Sequence, residues 1–268
     1  MMGMKLGLSL LYALSRPLRS ALADLLRAAE LGVELVELVD EATHRLDRRR
    51  VRMVKRALSD LGLEAAVHGP FVDMNIGSPH EPTRRFMLRR HLRSMEAAAE
   101  LGAVAWIFHP GLLTGLHMHF PGAEWAAMLR SVRELAARAE ELGLTILIEN
   151  GPEPVPFLLK TAAQFRRFFE ELGSDVRLGV AFDVGHAHIC GQVEELLQAL
   201  AGRIRHVHAH DNHGRQDSHL AIREGTVDWP SVLEGLRAVG YDGPVVVESV
   251  RKPFESLKVL SKLLENEG

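Results

Sequence analysis

Residues 139–150 read AEELGLTILIEN. An amphipathic stretch ends at Leu142, Gly143 suits the left-handed position that closes a helix, and Leu144–Ile148 is a short apolar run of strand type. Glu149 and Asn150 then end the run with polar side chains. The same succession recurs along the chain. AAELG at 28–32, SDLG at 59–62, AAELG at 98–102 and FEELG at 169–173 each close a helical stretch, and apolar runs follow at Val33–Val39, Leu63–Val67, Ala103–Phe108 and Leu178–Phe182. Arg237–Gly240 ahead of Pro244–Val247 is a further case. Helix, glycine and strand in repetition means parallel strands joined by crossover helices.

With a first strand at Lys5 and a seventh at Ile204, the runs predict strands near 5–10, 33–39, 63–68, 103–109, 144–149, 178–183, 204–210 and 244–248, with a last helix from about Phe254 to Leu264. Eight strand and helix units in about 250 residues describe an α/β chain of the (β/α)8 TIM barrel type, whereas an open doubly wound sheet more often has fewer strands. No linker or low-complexity stretch interrupts the series. The Pro-rich segment Gly151–Pro156 lies within one βα loop, so the expectation is a single domain over residues 1–268.

Composition narrows the function classes. Hydrophobic residues at 47%, charged residues at 25% and a formal charge of −3 are ordinary for a globular protein and give no global pull toward nucleic acid or anionic membrane. A single cysteine, Cys190, excludes an intramolecular disulfide and a multi-cysteine zinc site, which fits a reducing cytoplasm and leaves His, Asp and Glu as metal ligands. The apolar run after Lys5 is too short to span a bilayer and carries no clear cleavage site, so a cytoplasmic, unanchored chain is expected. The glycine-containing segments lack phosphate-cradling and dinucleotide fingerprints, so no nucleotide cofactor is expected.

What ends each strand carries the functional information. Strand three ends in His68, strand four in His109, strand five in Glu149, strand six in Asp183 with His186 beyond, and strand eight in Glu248. Strand seven opens the segment 205–229, RHVHAHDNHGRQDSHLAIREGTVDW, with His206, His208 and His210 on one strand face and Asp211, Asp217 and His219 in the loop that follows. In a barrel the strand C-termini form one ring at one mouth, so these residues point into one pocket. Glu149, Asp183, His208 and Glu248 could hold one divalent ion with three carboxylates and an imidazole, a set that suits manganese, cobalt, magnesium or zinc. His68, His109, His186, Asp217 and His219 could hold further ions or bind substrate oxygens. Asn150 and Asp211 are expected to orient the ligands.

The motifs HGPFVDMNIGSP (68–79), FHPG (108–111), IEN (148–150), FDVGHAHICG (182–191), HAHDN, DSHL and REG (within 208–225) and VVES (246–249) resemble the xylose isomerase-like barrels, which include endonuclease IV and the sugar-phosphate isomerase/epimerase group. The resemblance runs from the first strand to the last helix. In the sugar epimerases it implies one metal on Glu149, Asp183, His208 and Glu248. That metal acts as a Lewis acid on a ketose and stabilises an enediolate, the two glutamates exchange the proton, and His186 holds a substrate oxygen. In endonuclease IV it implies a trinuclear zinc cluster on His68, His109, Glu149, Asp183, His186, His208, Asp217, His219 and Glu248, cleaving the phosphodiester at abasic sites in DNA. Ser218 stands where the nuclease pattern has Arg, and Phe71-Val72 where it has Tyr-Leu. Arg223 replaces a Gly usual to both patterns and could bring a guanidinium to an anionic substrate. The expected partner is a small carbohydrate, with nucleic acid only under the nuclease alternative.

Two basic runs, Arg48–Arg56 and Arg84–Arg93, begin helices that follow strands and read as solvated faces, with a phosphate- or DNA-facing surface as the alternative. His117 and His119 fall in a long loop after strand four, and Cys190 reads as a packed residue.

Overall fold

The structure, a computed structural model, describes residues 3–265, so the two ends of the expected span 1–268 lie outside the described residues. Strands β1 (Lys5–Ser9), β2 (Leu35–Val39), β3 (Glu64–His68), β4 (Ala105–Phe108), β5 (Ile146–Glu149), β6 (Gly179–Asp183), β7 (Ile204–Ala209) and β8 (Pro244–Val247) pair in parallel, in chain order, and β8 closes on β1. The fold is the expected (β/α)8 TIM barrel. Helices α1 (Leu18–Leu22) and α2 (Leu25–Glu30) connect β1 to β2, and α3 (Arg48–Leu61), α4 (Glu81–Leu101), α5 (Ala123–Leu142) and α6 (Ala162–Leu172) follow β2 to β5 in turn. The short α7 (Val184–Ile189) and α8 (Val193–Ala199) follow β6, α9 (Trp229–Ala238) follows β7, and α10 (Pro253–Glu265) follows β8. The connections after β1 and after β6 thus each contain two short helices. Among the described residues no helix is long and apolar enough to cross a membrane.

The glycine reading holds for α3, α4 and α5, which end on Gly62, Gly102 and Gly143 with φ of 67°, 81° and 62°. Gly173 after α6 differs: at φ 92° and ψ 158° it occupies a region essentially restricted to glycine and is not a left-handed helix cap. Helix starts are fixed by side chains, with Asp47 Oδ1 accepting from Arg50 N at 2.8 Å and Thr161 and Gln164 forming a capping box.

The barrel has two cores. Between strands and helices lies a continuous apolar layer that includes Trp106, Phe108, Phe165, Phe168 and Phe182, all fully buried. Inside the barrel a separate apolar cluster, Leu35, Ala66, Ala105, Ile107, Leu147, Ala181 and Val246, fills the lower interior. Burial of each large aliphatic side chain contributes about 1.5–3 kcal/mol. Because side chains alternate along a strand, the next inward positions are Glu37, His68, Glu149, Asp183 and His208, one layer nearer the C-terminal mouth.

The basic runs divide. Arg84 is buried, bonding Glu81, Glu134 and Ser131, and Arg90 clamps Asp40 through its carboxylate (2.7 Å) and its carbonyl (2.6 Å). These two arginines pin α4 to its neighbours, which corrects the solvated reading for them. Arg48, Arg49 and Arg52 are exposed, as expected.

Candidate metal centre

His208 is the hub of the mouth. Its Nδ1 lies 3.0 Å from Glu149 Oε1, 3.7 Å from Asp183 Oδ2 and 3.9 Å from Glu248 Oε2. Its Nε2 lies 2.9 Å from Glu37 Oε2. All five side chains are buried. On one flank His68 Nε2 and His109 Nε2 both reach Glu149 Oε2 at 3.1 Å. On the other, His186 Nε2 and His219 Nε2 each lie 3.2 Å from Asp217 Oδ2, and His210 Nε2 reaches the carboxylate of Asp183 at 3.2 Å. All nine residues picked out in the sequence thus meet in one contiguous network, with Glu149 and Asp183 joining the groups that could each hold an ion.

Local structure aims each group. Asp183 ends β6 and caps α7, accepting from His186 N at 2.7 Å, so the turn that places Asp183 also places His186. Asn150 brackets the backbone of Asp183, its Oδ1 accepting from Asp183 N at 2.8 Å and its Nδ2 donating to Asp183 O at 2.9 Å. That is the orienting role expected of it. Asp211 works differently from its expected place behind a ligand. It accepts from the backbone of Asn212, Arg223 and Val227 and from Trp229 Nε1, and so knits together the loop that presents Asp217 and His219. Arg223 has φ 72°, the left-handed region in which glycine is at ease, and its side chain is exposed on the same loop. The rings of Phe71 and Phe157 wall the site beside His109, with centroids 5.5 and 5.4 Å from it.

The histidine tautomers follow from their outer partners. A carbonyl only accepts, so Nδ1–H of His68 donates to Gly69 O (2.8 Å), that of His186 to Asn150 O (2.8 Å) and that of His219 to Glu248 O (3.0 Å), leaving each Nε2 facing the cluster. His208 is reversed, with Nδ1 facing inward. His206 and His210, which match no ligand of the resembled family, are also buried here. His206 lies against Glu37, and His210 sits within the His186, Asp217 and His219 group. His213, His117 and His119 are exposed, and Cys190 is half-buried with its thiol pKa raised by burial.

The carboxylates dominate the electrostatics. Burial opposes protonation of the histidines, yet the neighbouring carboxylates win: Glu149 brings His68 to about 9, Asp183 and Asp217 bring His186 to about 10, and Asp217 with Glu248 brings His219 to about 9. Burial also opposes ionisation of Glu149, but the charge of His208 holds it well below the carboxylate range, whereas Glu248 is pushed up, by burial above all. Among the described residues no lysine or arginine forms an ion pair with Glu37, Glu149, Asp183 or Glu248. Four buried carboxylates matched only by imidazoles form an oxygen and nitrogen donor set that fits a divalent cation.

The chain is similar to an uncharacterized protein of Methanocaldococcus jannaschii, 32% identical over 98% of this chain and 90% of that protein. It is also similar to the ketose 3-epimerase of Arthrobacter globiformis, 27% identical over 83% of this chain and 75% of that enzyme. Among solved structures, a D-tagatose 3-epimerase-like protein superposes with a TM-score of 0.88 at 31% identity, covering 98% of both chains. The family model described as the xylose isomerase-like TIM barrel matches residues 25–265, and the chain belongs to that family.

Proposed function

We propose that the protein is a divalent-metal-dependent isomerase or epimerase of sugars or sugar phosphates. The observation that carries this reading is the convergence of Glu149, Asp183 and Glu248 on Nδ1 of His208 within 3.0–3.9 Å. These four residues would hold the ion, and manganese, cobalt, magnesium and zinc all accept such donors. When bound, the cation supplies Lewis acidity to the carbonyl and neighbouring hydroxyl oxygens of a ketose. Glu149 and Glu248 come from strands three apart in the barrel, so one can take the proton from a substrate carbon while the other returns one. His186 offers Nε2 to a substrate oxygen. Phe71 and Phe157 keep water from the His109 side, and Arg223 would meet an anionic substituent from the loop. Similarity to the ketose 3-epimerase supports a carbohydrate substrate.

One observation favours a second reading. The complete ligand set expected for a trinuclear zinc cluster is present, with His68, His109 and Glu149 on one flank and His186, Asp217 and His219 on the other. The corresponding activity is zinc-dependent cleavage of abasic DNA. Metal analysis combined with two assays separates the readings. One exchangeable ion per chain, with deuterium entering a ketose from D2O, is the outcome expected of the epimerase. Three tightly held zinc ions and incision of an abasic duplex would overturn it.

A further inference from the structure

We infer that Glu37 is a positioning residue for the metal centre: its carboxylate holds the Nε2–H of His208 and thereby makes Nδ1 the ligand atom. The inference rests on the metal-centre reading above, and no motif of the resembled family includes Glu37. Three imidazoles of the mouth, His68, His186 and His219, are anchored through Nδ1–H on backbone carbonyls and offer Nε2. His208 alone among these four has the opposite polarity and a carboxylate as its outer partner. That carboxylate comes from β2, across the barrel from β7, and is fully buried.

The geometry sets the direction: Glu37 Oε2 lies 2.9 Å from His208 Nε2, while Nδ1 of the same ring faces Glu149 Oε1 at 3.0 Å, and a carboxylate behind an imidazole accepts its N–H. A ligating imidazole is neutral and keeps one N–H, so with Glu37 accepting at Nε2 the lone pair of Nδ1 is left for the side where Glu149, Asp183 and Glu248 converge. A carboxylate behind a ligating imidazole also raises its basicity. His206 Nε2 lies 2.9 Å from the same Glu37 oxygen, but off the direction of a hydrogen bond. Neither ring nitrogen of His206 nor Glu37 Oε1 has a hydrogen-bond partner among the described residues. Orphaned polar atoms this deep serve no apolar packing, and a carboxylate needed by His208 accounts for the polar layer beneath the mouth.

The test is a cobalt titration of the chelator-stripped full chain, read by visible absorption, for the wild type, Glu37→Gln and Glu37→Asp. The expected result is cobalt binding weaker by about 10- to 100-fold in Glu37→Gln with a shifted ligand-field band, and a smaller loss in Glu37→Asp, which keeps the charge. A purely structural Glu37 would lower the melting temperature while the folded fraction kept wild-type affinity and spectrum, and that result overturns the proposal. Loss of one whole metal equivalent with the rest bound as before would make Glu37 a ligand and also overturns it. A measurement on the unmutated chain stands independent of variant folding: in the zinc-loaded protein the 15N resonances of His208 are expected to show a proton on Nε2 and metal on Nδ1, and the reverse assignment refutes the proposal. Weakened cobalt binding in the variants with no ketose exchange in the wild type leaves the role of Glu37 standing and removes the epimerase reading. Unchanged binding with normal exchange does the converse.

Discussion

The imidazole of His210 stacks on that of His219 with ring centroids 3.9 Å apart and planes at 20°. It is also pressed against the backbone of Gly185, where a Cβ would come within 2.1 Å of His210 Cε1. The glycine of DVGH is therefore set by a histidine twenty-five residues further on, and the pair fixes where His219 can sit. Gly185→Ala is expected to destabilise the protein by roughly 1–3 kcal/mol, since its methyl must displace a packed ring. Adding His210→Ala should recover part of that loss. Urea unfolding of both single variants and the double variant measures the coupling, and strict additivity would mean that the two residues do not press on each other.

Residues that end a strand were legible in the sequence, as was His208 within the histidine-rich β7, whereas Glu37 within β2 was not. His68, His109, Glu149, Asp183 and Glu248 each close an apolar run, and barrel closure brings them together as the strand order requires. Glu37 lies within VELVELV, where Glu34 looks equivalent; only the register of β2, with Leu35 in the interior cluster, turns Glu37 inward and leaves Glu34 exposed. The alternation in β7 does place His206, His208 and His210 on one face, but nothing local says that the face is the barrel interior. The split of α1 from α2 and of α7 from α8 was equally hidden, because each pair shares one stretch of helix-compatible residues.

Glu149→Gln and Glu248→Gln are each expected to lower kcat for ketose turnover by about 10²–10⁴, the usual worth of a positioned acid or base. Each substitution keeps the side-chain volume, so far-ultraviolet circular dichroism should be unchanged. Deuterium incorporation from D2O, followed by NMR, is the direct readout. Either variant exchanging at the wild-type rate would remove that glutamate from the proton transfer.

Removing the ion should cost stability as well as activity. At a metal concentration of 100 times Kd the bound state gains about 2.7 kcal/mol, roughly a 5–10 °C shift in a chain of this size. Chelated protein is thus expected to melt lower and to recover with manganese or cobalt. It should also lose stability as pH rises: His68, His186 and His219 have folded pKa values of about 9, 10 and 9, above the unfolded value of 6.5. The stability they contribute is complete below 6.5 and disappears as pH passes through 9–10. Identical melting curves with and without chelator across this range would contradict a metal-holding centre.

His91, on α4 and outside the ligand network, gives the opposite sign. Its ring is buried on α4, edge-on to Trp106 with centroids 5.5 Å apart, and its Nδ1–H donates to Met87 O at 3.0 Å. Burial drives its pKa down from 6.5 to about 4, against the pull of that hydrogen bond. Below pH 6.5 the unfolded chain takes up the proton first, so the neutral ring's contribution is complete above 6.5 and is lost as pH falls through the window to 4. At 1.36 kcal/mol per unit the loss amounts to about 3 kcal/mol. His91→Phe keeps a ring against Trp106 and removes the titration. Urea unfolding between pH 7 and 4 should therefore show the wild type losing stability more steeply than the variant, by close to one proton in slope. Parallel pH dependences in the two proteins would mean that His91 is protonated without cost in the fold.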